Sequence, residues 1–153
     1  MKTLLVALLL STSALASCPD LRGRWGTCRG GNQQWPVDLI ANMSEGDTGP
    51  IYNFSTTDFR NGRTTLLEFK TDPAGSVTDE PYNGTNIIKR TIIRYYCQNN
   101  SFIQYERVLA QTEGSPTWTL QSHLEARYWI GRQGEFVMTV DRQNGRPTLT
   151  TCF

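Results

Sequence analysis

Four cysteines, a single histidine and a group of arginines and tyrosines are the residues of this sequence with the most chemistry open to them. Arg90, Arg94, Tyr96, Tyr105 and Arg107 come together if Asn99-Asn100 turns one strand back onto the next, which sets Arg94 opposite Tyr105. Such a cluster can hold a carboxylate or an aromatic group through charge-assisted hydrogen bonds and cation–π contact. The structural alternative is that long arginine stems simply cover aromatic surface on an exposed sheet face. His123 lies two residues from Glu125, and a His beside a Glu could do acid–base work. No serine or cysteine stands in a G-x-S-x-G or comparable nucleophile frame, however, and a histidine on the polar side of a strand is ordinarily solvated. The chain is therefore expected to be non-enzymatic, with a secreted hydrolase ranking behind the binding functions developed below.

Four cysteines allow three pairings. Cys18 and Cys28 bracket the first strand-like run, Cys97 ends a mid-chain run and Cys152 precedes the last residue. The pairing expected from these positions is Cys18–Cys28 with Cys97–Cys152, the second bridge tying down a terminus at a typical gain of about 2–4 kcal/mol. There is no C-x-x-C, and one histidine gives a metal little to bind, so neither a metal nor any other cofactor is implied. Asn42, Asn53, Asn83 and Asn99 each open an N-x-S/T sequon, which matters only in a host with the glycosylation machinery.

The chain starts with Met1 and Lys2, an apolar run over residues 4–10 and small residues over 11–17, the pattern of a secretory signal too short to span a bilayer. Ala14-Leu15-Ala16 fits cleavage before Ser17, while Leu15-Ala16-Ser17-Cys18 resembles a bacterial lipobox, in which case Cys18 would carry lipid and tether the protein to the cell envelope. Lipidation would strand an odd thiol in an oxidising compartment, so soluble export, secreted or periplasmic, is the expectation. Residues 18–153 then form one domain, of ordinary single-domain size. Loss of Lys2 leaves 14 basic against 14 acidic residues, a formal charge of zero, which provides no basic field for nucleic acid or an anionic membrane.

These residues must be positioned by β structure. After the signal, short runs rich in β-branched and aromatic residues alternate with Gly, Asn, Pro and Asp, and no helical period stands out. Over residues 117–130, Trp118, Leu120, Leu124, Ala126, Tyr128 and Ile130 share one parity and Thr119, Gln121, His123, Glu125 and Arg127 the other, the signature of a half-buried strand. Two Asn-Gly pairs, read as two-residue type I′ turns, fix registers. Asn144-Gly145 sets Val140 against Leu149, Met138 against Thr151 and Phe136 against Phe153; Asn61-Gly62 sets Phe54 against Phe69 and Thr56 against Leu67. Further strand-like runs cover residues 21–28, 34–43, 85–97 and 101–110, with 87–96 also compatible with one helix face, and residues 71–83 read as the longest irregular connection. The predicted fold is all-β, an antiparallel up-and-down meander of about eight or nine strands closing into a small disulfide-stabilised barrel or, alternatively, a sandwich.

Leu21-Arg22-Gly23-Arg24-Trp25 resembles the G-x-W opening of lipocalins and the L-x-G-x-W opening of avidin-like barrels. The resemblance covers the opening motif and the general architecture. It implies that Trp25 closes one end of a barrel whose other end is hollow. Gly26-Thr27-Cys28 lack the polar cluster of avidin-like proteins, so biotin binding is not implied, and no appended lipocalin helix is visible.

Two functions follow as expectations. In the first, a small apolar molecule occupies the barrel interior among Trp25, Trp118, Tyr128 and Phe136, with Arg94 and Tyr105 as polar contacts. In the second, the barrel is filled by its own side chains and its surface binds another macromolecule, as an inhibitor or envelope-attached interaction module would. The alternation over residues 117–130 is itself testable: Leu124→Ala should cost about 2–5 kcal/mol in chemical denaturation, whereas His123→Ala should change stability little, and equal small losses would show the faces to be reversed.

Overall fold

The computed structural model describes residues 18–143 and 145–153; the signal segment, with its cleavage and lipobox positions, and Asn144 lie outside the described residues. Ten antiparallel strands follow one another: β1 (Gly23–Gly30), β2 (Gln33–Gly46), β3 (Gly49–Asp58), β4 (Arg63–Lys70), β5 (Asp72–Pro81), β6 (Ile87–Gln98), β7 (Ser101–Thr112), β8 (Thr119–Ile130), β9 (Phe136–Arg142) and β10 (Thr148–Cys152). They form one sheet in the order β4-β3-β2-β1-β10-β9-β8-β7-β6-β5, curved into a nearly closed barrel. The chain's first and last strands pair in the middle of the sheet. The remaining seam separates β4 from β5, which are consecutive in sequence.

One of these strands departs from expectation. Residues 72–81, read as an irregular connection because they are rich in Asp, Pro and Gly, form β5. Pairing with β6 overrides the poor local propensity, and a bulge between Asp72 and Ser76 absorbs Pro73, Ala74 and Gly75. The ambiguous run over 87–96 is strand, within β6. Asn99 and Asn100 adopt φ of 51° and 56° and close the β6–β7 hairpin as a two-residue turn, with Arg94 opposite Tyr105 as expected.

The other two turns differ from the sequence reading. Asp58 pairs with Arg63, so four residues, not two, separate β3 and β4. The Asp58 carbonyl accepts from Gly62 N–H at 2.8 Å and its carboxylate from Arg60, which builds a wider loop around one side chain. The register slides by two, Tyr52 facing Phe69 and Phe54 facing Leu67, which leaves each residue on its predicted face. Between β9 and β10 the slide is a single residue: Val140 faces Thr148 and Phe136 faces Cys152. A one-residue slip turns a strand over, and Leu149 and Phe153, expected inside, are exposed.

The cause is the disulfide framework, which corrects the expected pairing. Cys28 bonds Cys152 and Cys18 bonds Cys97. Cys28 and Cys152 are direct cross-strand partners in the β1–β10 ladder, with Cα atoms 4.0 Å apart, and both are buried. Cys152 must face the core to make that bond, so its neighbours in β10 cannot. Two disulfides in a domain of this size are consistent with an extracellular or periplasmic location.

The core is aromatic. Tyr52, Phe54, Phe69, Tyr95, Phe102, Tyr128, Phe136 and Trp25 touch in a continuous set, from Tyr52–Phe102 centroids at 4.6 Å to Tyr95–Phe102 at 6.4 Å, with Leu21, Val37 and Leu39 packed around them. Trp25 folds back over Gly23: a Cβ at that position would lie 2.5 Å from the indole ring, which is the physical reason for a glycine two places before the tryptophan. Leu124, Ala126, Tyr128 and Val140 face this interior as expected, and His123, Glu125 and Arg127 alternate to the outer side. Trp118 and Leu120 do not join the core. Val108 faces Ser122 but Leu109 faces Leu120, so a bulge at Gln121 reverses the parity of everything before it in β8.

Two outcomes are expected. Replacing Cys28 and Cys152 together with serine should cost about 4–5 kcal/mol, the scale for a closed loop this long, and graded reduction with thiol labelling should open the half-buried Cys18–Cys97 bond before the buried Cys28–Cys152 bond. Burial pushes the Tyr52 and Tyr128 phenols up from 10.0 to about 12, with smaller contributions from the charges of Asp20 and Tyr95 respectively. The folded state thus holds both phenols neutral where the unfolded chain would ionise them. Their contribution is complete below pH 10 and declines as pH rises to about 12. Tyrosinate absorbance should therefore appear in step with unfolding above pH 10 for these two, and a free titration at pH 10 would contradict the packing.

Candidate functional site

Of the six residues expected to contact a ligand, the structure brings Trp25, Tyr128 and Phe136 together inside the barrel. Trp25 and Phe136 lie 5.2 Å apart and Tyr128 and Phe136 6.2 Å apart, with Phe54 between the rings of both partners at 5.6 Å. Their polar tips are already engaged. Trp25 Nε1 donates to Gly134 O at 2.9 Å and Tyr128 Oη to Gln104 Oε1 at 3.1 Å, and the buried Tyr52 Oη donates to Pro19 O at 2.8 Å. Sequence reasoning missed Tyr52, Phe102 and Tyr95 as members of this cluster. The alternation of Tyr52 with Phe54 and of Phe102 with Gln104 would have revealed it once the register was known.

Trp118 stands apart. Its ring lies beneath the Arg90 guanidinium, 4.3 Å from the centroid, and Arg90 is held by both carboxylate oxygens of Asp79. Arg90 belongs to the outer face of β6, so the tryptophan packs on the outside of the sheet.

Arg94 and Tyr105 occupy a different place, the outer face of the β6–β7 hairpin, where they line an open groove of about 570 Å³. Arg94, Tyr96 and Tyr105 contribute from β6 and β7, and Thr48, Thr71 and Pro73 from the β2–β3 turn and the β4–β5 corner, with the Cys18–Cys97 bridge in the wall. The β5 bulge shapes one side. Gly75, at φ 72°, runs so close over the Arg94 stem and the Ile93 carbonyl that a side chain there would collide with both, and its N–H is held by Asp72 Oδ1 at 3.0 Å. Arg94 is thereby positioned by backbone.

The charges around this groove are unevenly matched. Among the described residues Arg94 has no carboxylate within 4.0 Å. Glu125, opposite Tyr105 on β8, is bound to Arg127 at 2.9 Å. Tyr105 is enclosed by Arg107, 5.9 Å from its centroid, and by the His123 ring, 5.5 Å away edge-on. Burial and the Glu125 charge push the Tyr96 phenol above its ordinary range. The groove therefore offers a fixed guanidinium, phenol hydroxyls and an aromatic face, a set suited to a carboxylate or an anionic aromatic group.

His123 and Glu125 lie on the outer face as expected, and among the described residues all four cysteines are in disulfides, so no thiol stands beside them. Among the described residues no three His, Cys, Asp or Glu side chains gather as a metal site. Known protein-family models and curated proteins give no match to the chain.

Proposed function

We propose that the protein is an exported, non-enzymatic binding module that engages a carboxylate-bearing partner through the outer groove at Arg94, Tyr96 and Tyr105, not through a hollow barrel. The observation that carries this reading is the contrast between the two candidate regions. Inside, eight aromatic rings form one continuous set of contacts, and the polar atoms of Trp25, Tyr52 and Tyr128 are bonded within the protein. Outside, a guanidinium with no counter-charge is held in an open groove. A buried aromatic core of this kind contributes stability, whereas an unpaired, backbone-fixed arginine contributes little to folding and is ready for recognition. The Cys18–Cys97 bond favours a released protein, secreted or periplasmic, over one lipid-anchored at Cys18.

The alternative keeps the lipocalin-like expectation, a small apolar molecule among Trp25, Tyr128 and Phe136. It draws support from the seam between β4 and β5, through which such a molecule would enter.

Thermal-shift titrations separate the two. Benzoate and acidic dipeptides should raise the melting temperature progressively. Arg94→Met, which keeps the stem that packs against Gly75, should weaken that binding by about tenfold or more, the loss of a charge-assisted hydrogen bond of about 1.5–3 kcal/mol. Fatty acids and retinoid-like compounds should have no effect. Stabilisation by the apolar series alone, insensitive to Arg94→Met, would transfer the function to the interior.

A further inference from the structure

The strands that end the sheet, β4 and β5, each leave one backbone edge without a partner. Among the described residues seven large hydrophobic side chains stand exposed, and five of them are here: Phe59 in the β3–β4 loop, Leu66 and Leu67 on β4, Val77 on β5 and Tyr82 just beyond it. Leu66 is 75 % exposed. Monomeric proteins blunt such edges with charges, prolines or bulges, and β5 carries Pro73, Pro81 and a bulge, but on β4 Thr64, Thr65, Leu66 and Leu67 present four uncharged residues in succession.

The two edges match each other. Set antiparallel with Leu66 opposite Val77, they also place Thr65 opposite Thr78, Leu67 opposite Ser76 and Arg63 opposite Glu80. Every pair then agrees in facing: Leu66 and Val77 lie in outer rows with Ser55 and Ile92, and Arg63 and Glu80 in inner rows with Asp58 and Lys89. Among the described residues Arg63 has no carboxylate within 4.0 Å and would join Glu80, which already lies 3.1 Å from Lys89, while Lys70 is met by Glu68 on its own strand. Within one chain this pairing is blocked at the corner. It would require Thr71 and Asp72 to form the turn, but Thr71 N–H donates to Pro50 O at 3.2 Å, Thr48 Oγ1 donates to Thr71 O, and Asp72 is already paired with Tyr95.

We propose that these edges join two copies of the chain: a two-fold axis along the seam lays β4 of each copy antiparallel to β5 of the other, with Leu66 against the partner's Val77 and Arg63 against the partner's Glu80. The interface is isologous, closes both seams at once and removes both free edges. Neither Leu66 nor Val77 lines the groove at Arg94.

Sedimentation equilibrium on the full mature chain tests it. The wild-type protein should show a reversible monomer–dimer equilibrium. Leu66→Lys or Val77→Glu alone, each at an exposed site, should leave the melting temperature of the monomer unchanged and weaken dimerisation by about tenfold, equivalent to about 1.4 kcal/mol. Mixing the Leu66→Lys chain with the Val77→Glu chain should restore association as a mixed dimer, since one junction then pairs opposite charges and the other is wild-type. A wild-type protein that remains monomeric at millimolar concentration, association unaffected by either substitution, or a mixture no more associated than its components would each overturn the proposal.

Discussion

The pairing of β1 with β10, sealed by Cys28–Cys152, is the constraint on which the rest of this structure depends. It joins the two ends of the chain in the middle of the sheet, so that β1 to β4 curl away in one direction and β10 back to β5 in the other. Because the bridge lies on a direct cross-strand pair, it sets the rotation of β10 and, through Cys152 opposite Phe136, of β9. The gap in the barrel then falls where the two arms end, at a corner held by Thr71 and Asp72. Both the groove at Arg94 and the unpaired edges follow from the location of that corner.

The aromatic interior is the second consequence. A small barrel has an interior just wide enough for its own side chains or one small ligand, and here Phe69 on the last strand of one arm meets Tyr95, Phe102 and Tyr128 on the other. Side-chain contact therefore bridges the two arms near the corner although no backbone hydrogen bond does. Polarity is divided accordingly: the Trp25 indole and the Tyr52 and Tyr128 hydroxyls find carbonyl or amide acceptors, and Arg90, Arg94, Arg107, Glu125 and Arg127 lie on the outer surface, whereas Lys89 and Glu106 share the inner face.

Much of this was legible in the residues themselves, and the exceptions have physical causes. Period-two alternation identified β8 and the inner positions of Leu124, Ala126 and Tyr128, and Asn99-Asn100 identified a hairpin with Arg94 opposite Tyr105, because in each case the deciding information is local. Trp118 was misplaced by a bulge, an event that one extra residue causes and parity cannot register. Leu149 and Phe153 were misplaced because a covalent bond to a distant strand outranked their hydrophobicity. β5 was hidden by Pro73 and Gly75, which serve the bulge and not the ladder. The cysteine pairing was out of reach for the same reason as the β1–β10 contact: nothing in the order of residues says that a chain's ends will meet. Of the site, the sequence offered the arginine and the tyrosine but not the groove, whose opposite wall comes from Thr48, Thr71 and Pro73.

The two bridges interleave along the chain, with separations of 79 and 124 residues, so that each encloses one cysteine of the other. Neither can close until strands from both halves have met, and contacts of such range form late because their loops are entropically expensive. Cys18 and Cys28, by contrast, are near neighbours from the moment they are synthesised. A Cys18–Cys28 bond, which would close the shortest loop, would have to be exchanged through mixed disulfides before the native pair could form, a step of seconds to hours set by the available thiols. The connectivity thus ties the native fold to disulfide exchange as well as to the packing of the finished barrel.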